Sequence, residues 1–288
     1  MGTKSEWLSL ACRDGTVALM GVVNLTPDSF FDGGRYATAD AAERHVDALL
    51  AEGAAVLDLG GESSRPGAEK IPAAQQIDRV RAALSHAVSR GAVVSIDTTD
   101  PEVADYALGA GARLVNDVSC LAAPELAAVT ARHGATLILM HSRDMREMSG
   151  FSQYPEGRYG DVVEDVRAEW RAARDLAVKA GMAPADVWFD PGLGFAKNAR
   201  QSFELLRRLG EFASEGVPIL VGPSRKSFIA TVDGAPPEAR LGGTVAACLA
   251  AAERGASLLR VHDVAAIRQA LGVSRLASHT PPMEARHA

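Results

Sequence analysis

Short apolar runs alternate with longer stretches in which apolar residues recur three and four positions apart, almost from one end of the chain to the other. The runs fall at 17–23, 54–59, 92–96, 113–115, 135–140, 187–189, 217–221 and 257–261, eight in all. Each is short and lacks polar alternation, the pattern of parallel strands covered on both faces. The helical stretches between them include 39–52, 73–90, 125–133, 162–180, 201–215 and 243–254. Gly53, Gly91, Gly134, Gly181, Gly216 and Gly255 stand where those helices end and a left-handed cap is needed before the next strand.

Strands alternating with helices predict a parallel sheet joined by right-handed crossovers. Eight such units favour the α/β class and a closed (β/α)₈ TIM barrel, with an open doubly wound sheet as the alternative. No glycine-rich dinucleotide fingerprint follows the first run, which weakens that alternative. The polar segment 142–160 reads as an extended loop before a long helix. No linker divides the chain, so 1–277 reads as one domain. Residues 278–288, with two prolines and no apolar period, read as a flexible tail.

Composition narrows the class. Of 288 residues, 47% are hydrophobic and only 5% aromatic, so the core is aliphatic. The net charge of −6 gives no chain-wide basic field, which argues against a nucleic-acid partner. Cys12, Cys120 and Cys248 lie far apart and read as free thiols of a reducing compartment. The apolar run at 17–23 is too short to span a membrane and leads into a polar loop without a cleavage site. The expected location is cytoplasmic.

The chemistry lies where the runs end. There the sequence places Asn24, Asp58, Asp97, Asn116–Asp117, His141, Asp190, Ser224–Arg225–Lys226, and Arg260 with His262. A barrel gathers these points at its C-terminal mouth. Any one of them is as readily a helix cap or loop anchor; a polar group at all eight ends is harder to explain that way. Asp58, Asp97, Asn116 and Asp190 suit a flat nitrogen heterocycle, although Asp58, close to Gly60 and Gly61, reads first as orienting its loop. Asn24, Arg65, Lys226, Arg260 and His262 suit phosphate oxygens, helped by free N–H groups at Gly222 and Ser224 before an expected helix start. The glycine-rich loops 24–34, 60–67 and 190–196 could fold over a ligand, with Phe30, Phe31 and above all Phe195 as stacking candidates.

The chain resembles the dihydropteroate synthase family of pterin-binding enzymes. The resemblance rests on MGVVNLTPDSFFDGG from Met20, LDLGGESSRPGAE from Leu57, SIDT from Ser95, VNDVS from Val115, LMH from Leu139, DPGLGFAKN from Asp190, GPSRKSF from Gly222 and RVHDV from Arg260. It implies a (β/α)₈ barrel that joins p-aminobenzoate to 6-hydroxymethyl-7,8-dihydropterin diphosphate, giving 7,8-dihydropteroate and pyrophosphate. It further implies that Asp97, Asn116, Asp190 and Lys226 hold the pterin ring and Met140 lines its pocket. Gly222 is also an expected substrate-binding residue. Asn24 reaches the Mg²⁺ on the diphosphate, Arg260 and His262 bind the anion, and Arg65 joins them from the second loop. Ser64, Pro66, Phe195 and Ser227 surround p-aminobenzoate; Ser64 stands where many relatives carry threonine. Arg65, Lys226, Arg260 and His262 are the expected catalytic residues. A homodimer and binding of sulfonamide analogues are implied as well.

Two rivals stand beside this reading. One is a pterin-binding methyltransferase acting on methyltetrahydrofolate, which has no diphosphate to hold. The other is a non-catalytic paralogue.

Overall fold

The computed structural model describes residues 17–26, 35–63, 70–143 and 154–278. Among these residues eight strands are joined by helices: β1 Ala18–Asn24, α1 Arg35–Glu52, β2 Val56–Gly60, α2 Ala73–Ser89, β3 Val94–Asp97, α3 Pro101–Gly109, β4 Leu114–Asp117 and α4 Pro124–Arg132. The second half runs β5 Thr136–Met140, α5 Val162–Lys179, β6 Val187–Asp190, α6 Ala199–Arg207, β7 Leu220–Val221, α7 Leu241–Glu253, β8 Leu258–Val261 and α8 Val264–Ser278. The strands are parallel and follow the sheet order β6-β5-β4-β3-β2-β1-β8-β7. A single bridge between Phe189 and Ile219 closes the ring between β6 and β7. The TIM barrel is therefore formed, and the open-sheet alternative falls.

Strand direction explains where the core lies. Side chains alternate across each strand, so Leu57, Leu59, Val94, Ile96, Leu137, Leu139 and Phe189 belong to the layer packed under the helices. Ala18, Met20, Val56, Leu114, Ile138, Trp188, Leu220 and Leu258 form a separate cluster inside the ring. The interior cluster is apolar only at the start of each strand. Further along, inward positions become Asp58, Ser95, Asp97, Asn116 and Arg260. Polar alternation is thus present at the strands' C-terminal ends, contrary to the expectation from the apolar runs. Asn24, Asp97, Asn116–Asp117 and Asp190 are strand residues themselves and not the first residues of loops.

Helix ends follow the local signals. All six glycines expected to end helices have positive φ, from 61° at Gly134 to 108° at Gly181, a region costly for a residue with a Cβ. Asp100 caps α3 and Asp161 caps α5 through side-chain bonds to backbone N–H groups. Asn198 and Gln201 form a capping box on α6. The helix expected over 201–215 is divided instead into α6 and a 3₁₀ segment, Leu209–Glu215. Cys120 and Cys248 are free. Cys12 and 279–288 of the expected tail lie outside the described residues.

Candidate active site

Neighbouring strands place Asn24, Gly60, Asp97, Asn116 and Ile138 at one level across β1 to β5. Met140 is opposite Asp190 on β5 and β6, and Met20 is opposite Arg260 on β1 and β8. At this level Arg260 Nε donates to Asp58 Oδ2 at 2.6 Å, and its Nη2 donates to Asp97 Oδ2 at 2.9 Å. Asn116 Nδ2 donates to the same Asp58 oxygen at 3.1 Å. One arginine and one carboxylate thereby tie four strands. The acidic set and the anion-binding set, separate in the sequence reading, are directly bonded here. Asp58 does not orient its loop; wholly buried, it fixes Arg260 and Asn116.

Asp58 Oδ1, Asn116 Oδ1 and Ser95 Oγ are buried without a hydrogen-bond partner among the described residues. Buried acceptors of this kind are normally satisfied, and N–H donors of a flat heterocycle are suited to the task. Ser95 was not singled out from the sequence, because a serine inside an apolar run gives no signal of the direction it faces.

Burial sets the protonation of the cup. It pushes the Asp97 carboxyl up to about 7 against the opposing pull of Arg260. Asp190, which accepts the Gly192 N–H at 2.7 Å, is pushed by burial up to about 6. Burial, then Arg260, brings Lys226 down to about 7. His262 is brought down to about 3 by burial and then Arg260, so its ring is neutral near pH 7. Ser224 Oγ accepts the His262 backbone N–H at 3.2 Å and shares a 2.9 Å hydrogen bond with its Nδ1.

On the far side of the cup, Lys226 Nζ lies 3.8 Å from the centre of the Phe195 ring. Met140 is buried in the wall, while Gly222 and Ser227 are half-buried beside Arg260 and Lys226 in the β7 segment. Arg225, between Ser224 and Lys226, has a left-handed backbone with φ 58°. Its N–H is held by Thr244 Oγ1 at 3.0 Å and its guanidinium by Asp263 at 2.7 and 3.1 Å. The α-helix start expected after Ser224 is absent: a 3₁₀ turn, Ser227–Thr231, follows, and α7 begins only at Leu241.

Two expected members of the mouth point elsewhere. Asp117 accepts from its own loop, at Ser119 N (2.9 Å) and Leu121 N (2.6 Å). His141 is fully buried against α5, where Nε2 meets Glu169 at 3.0 Å. Phe30, Phe31, Ser64, Arg65 and Pro66 lie outside the described residues. Lys197 was missed: it is fully buried and bonds His141 from beneath the loop that follows β6.

The sequence matches the family model for pterin binding enzymes over residues 20–262. It is 44% identical over 273 residues to the dihydropteroate synthase of Mycobacterium leprae, covering 92% of this chain and 95% of the relative. The chain belongs to the dihydropteroate synthase family of pterin-binding enzymes. The Bacillus subtilis dihydropteroate synthase is 37% identical, with 89% of this chain and 86% of the relative covered. Among solved structures, Xanthomonas albilineans dihydropteroate synthase with 4-aminobenzoic acid superposes with a TM-score of 0.85 at 40% identity, covering 92% of this chain and 94% of that one. The same enzyme with 7,8-dihydropteroate gives 0.81 at 38% identity, covering 92% and 95%.

Proposed function

We propose that this chain is a transferase of folate biosynthesis that joins p-aminobenzoate to 6-hydroxymethyl-7,8-dihydropterin diphosphate, releasing pyrophosphate. The observation that carries the reading is the inward cup in which Asp58, Asp97 and Asn116 meet Arg260, with unpaired buried oxygens facing its interior. The reactant and product held in the solved Xanthomonas relatives support it.

In this reading Asp97, Asn116 and Asp190 accept the N–H groups of the pterin, Met140 packs against its ring and Lys226 meets its acceptor edge. Arg260 and His262 receive the diphosphate, joined by Arg65. The bond between the methylene carbon and the diphosphate oxygen breaks first, its electron pair leaving with pyrophosphate. Positive charge on the carbon spreads into the electron-rich ring. The aniline nitrogen then bonds to that carbon and loses a proton to solvent, so no covalent enzyme intermediate forms. Fixed cations at the departing oxygens stabilise the charge that develops there.

Asn24 suits a magnesium ion brought by the diphosphate. Its side chain is exposed at the end of β1 and offers a hard oxygen. Magnesium commonly takes one or two protein ligands and completes its shell with phosphate oxygens and water. Bound there, it would neutralise charge on the leaving group. Among the described residues no cluster of three or more His, Cys, Asp or Glu offers a protein-only cage.

The reading extends to a cytoplasmic homodimer inhibited by sulfonamides as p-aminobenzoate analogues. Among the described residues no helix is long and apolar enough to cross a membrane. The deciding experiment is pyrophosphate release by purified protein with both substrates and Mg²⁺, with and without sulfamethoxazole. Dihydropteroate formed together with pyrophosphate when both substrates are present supports the reaction; formation of neither sinks it. A water-trapped pterin alcohol formed without p-aminobenzoate would support the dissociative order, and its absence would weigh against it.

A further inference from the structure

The loop after β6 begins at Pro191, carries Phe195 and ends at the Asn198 cap of α6. Its backbone is tightly placed. His141 N–H donates to Asp190 O at 2.8 Å, and Phe195 N–H donates to Gly192 O at 3.1 Å. A Cβ at Gly192 would collide with His141 O. Ala196 has a left-handed backbone, φ 46°, unusual for a residue with a side chain. Something must hold this segment in place.

Two buried groups do so at consecutive carbonyls. Lys197 Nζ donates to Phe195 O at 2.9 Å, and Tyr159 O–H donates to Ala196 O at 3.0 Å. Lys197 also reaches His141 O at 3.2 Å and His141 Nδ1 at 3.0 Å. Three acceptors use all three N–H groups of an ammonium, whereas a neutral amine has two. His141 then carries its proton on Nε2 and donates it to Glu169. Glu169 is paired with Arg143, whose guanidinium lies 3.8 Å from the Tyr159 ring centre. The supports at Phe195 O and Ala196 O therefore join through Arg143, Glu169 and His141. None of these five side chains takes part in the proposed reaction.

We propose that Lys197 is a positioning residue: its ammonium, backed by His141 and Glu169, fixes the 192–198 loop so that the Phe195 ring faces Lys226 and forms the p-aminobenzoate wall of the site. This rests on the reaction proposed above. The tie acts on the segment between Asp190 and α6, while Asp97, Asn116 and Arg260 are fixed separately by Asp58. Losing it should therefore weaken the acceptor site more than the pterin site.

The test compares Lys197→Met, Phe195→Ala and the double variant in steady-state kinetics. Lys197→Met should raise the KM for p-aminobenzoate about tenfold, the scale of one lost charged hydrogen bond. The KM for the pterin diphosphate should stay within about twofold. Added to Phe195→Ala, it should raise the p-aminobenzoate KM little further, because both changes remove the same wall. An unchanged p-aminobenzoate KM, equal rises for both substrates, or multiplicative effects in the double variant would overturn the proposal. If Lys197→Met fails to fold by circular dichroism, Lys197→Gln carries the same comparison. Amide exchange over 192–198, measured without substrate, separates this idea from the reaction itself. Faster exchange in the variant supports the tie even if the wild type proves inactive; unchanged exchange refutes it.

Discussion

Arg260 and Asp58, 202 residues apart in the chain, share a 2.6 Å hydrogen bond inside the barrel. The Asp58 side chain is wholly shielded from solvent, and that of Arg260 is 20% exposed. Removing one partner of a buried pair leaves the other charge uncompensated, at a cost of about 3–5 kcal/mol. Arg260 retains Asp97, so Asp58→Ala should lie near the lower end, about 3 kcal/mol in urea unfolding. A loss below about 1 kcal/mol, the ordinary scale of exposed pairs, would refute the bracing role.

In the proposed reaction Arg260 also bears on the rate. Replacing it by lysine keeps a charge but loses the planar fork that spans Asp58 and Asp97. Arg260→Lys should lower kcat by about 10²–10³, as when one oxyanion donor is removed. Single-turnover measurements at saturating substrates check this; a rise in KM alone would move Arg260 from rate to binding.

Asn24 gives a cleaner division because its side chain is exposed. Asn24→Ala should leave the melting temperature unchanged and raise the Mg²⁺ concentration for half-maximal activity by about tenfold. Chelation should abolish pyrophosphate release and added Mg²⁺ restore it. Full activity after exhaustive chelation would remove magnesium from the scheme.

His141 predicts a pH effect on stability. Burial, then Lys197, holds its ring down to about 4, below its ordinary value of 6.5. The unfolded chain therefore binds the proton first as pH falls through 6.5. Stability present above that value is lost progressively down to about 4, by up to about 1.4 kcal/mol per pH unit. Against burial's upward push, bonds from His141 and Arg143 hold Glu169 down to about 2, so its own loss begins only below about 4.5. His141→Gln should flatten the dependence between pH 6.5 and 5 in thermal melts; an unaltered slope there would exclude His141 as its source.

The sequence was most legible where spacing dictated geometry. Alternating runs predicted the eight strands, and the residues at their ends placed Asp97, Asn116, Asp190, Lys226 and Arg260 around one cavity. Direction within a strand was harder to read. Asp117 is adjacent to Asn116 and His141 to Met140, yet each faces away from the cup because successive side chains alternate. Lys197 escaped notice because a lysine beside a helix cap ordinarily reads as solvated. Only the fold brings the His141 carbonyl and ring over its amine. The Asp58–Arg260 bond was illegible for a similar reason, since it depends on β1 bringing β2 and β8 to either side of it.

The lone bridge from Phe189 to Ile219 closes the cylinder between the strand that ends in Asp190 and the one that leads to Lys226. Other neighbouring strands are laced by two or more paired residues. Thermal opening of the wall is accordingly expected to begin at this gap, parting an acid from a base before it disturbs the four strands tied by Arg260 and Asp58.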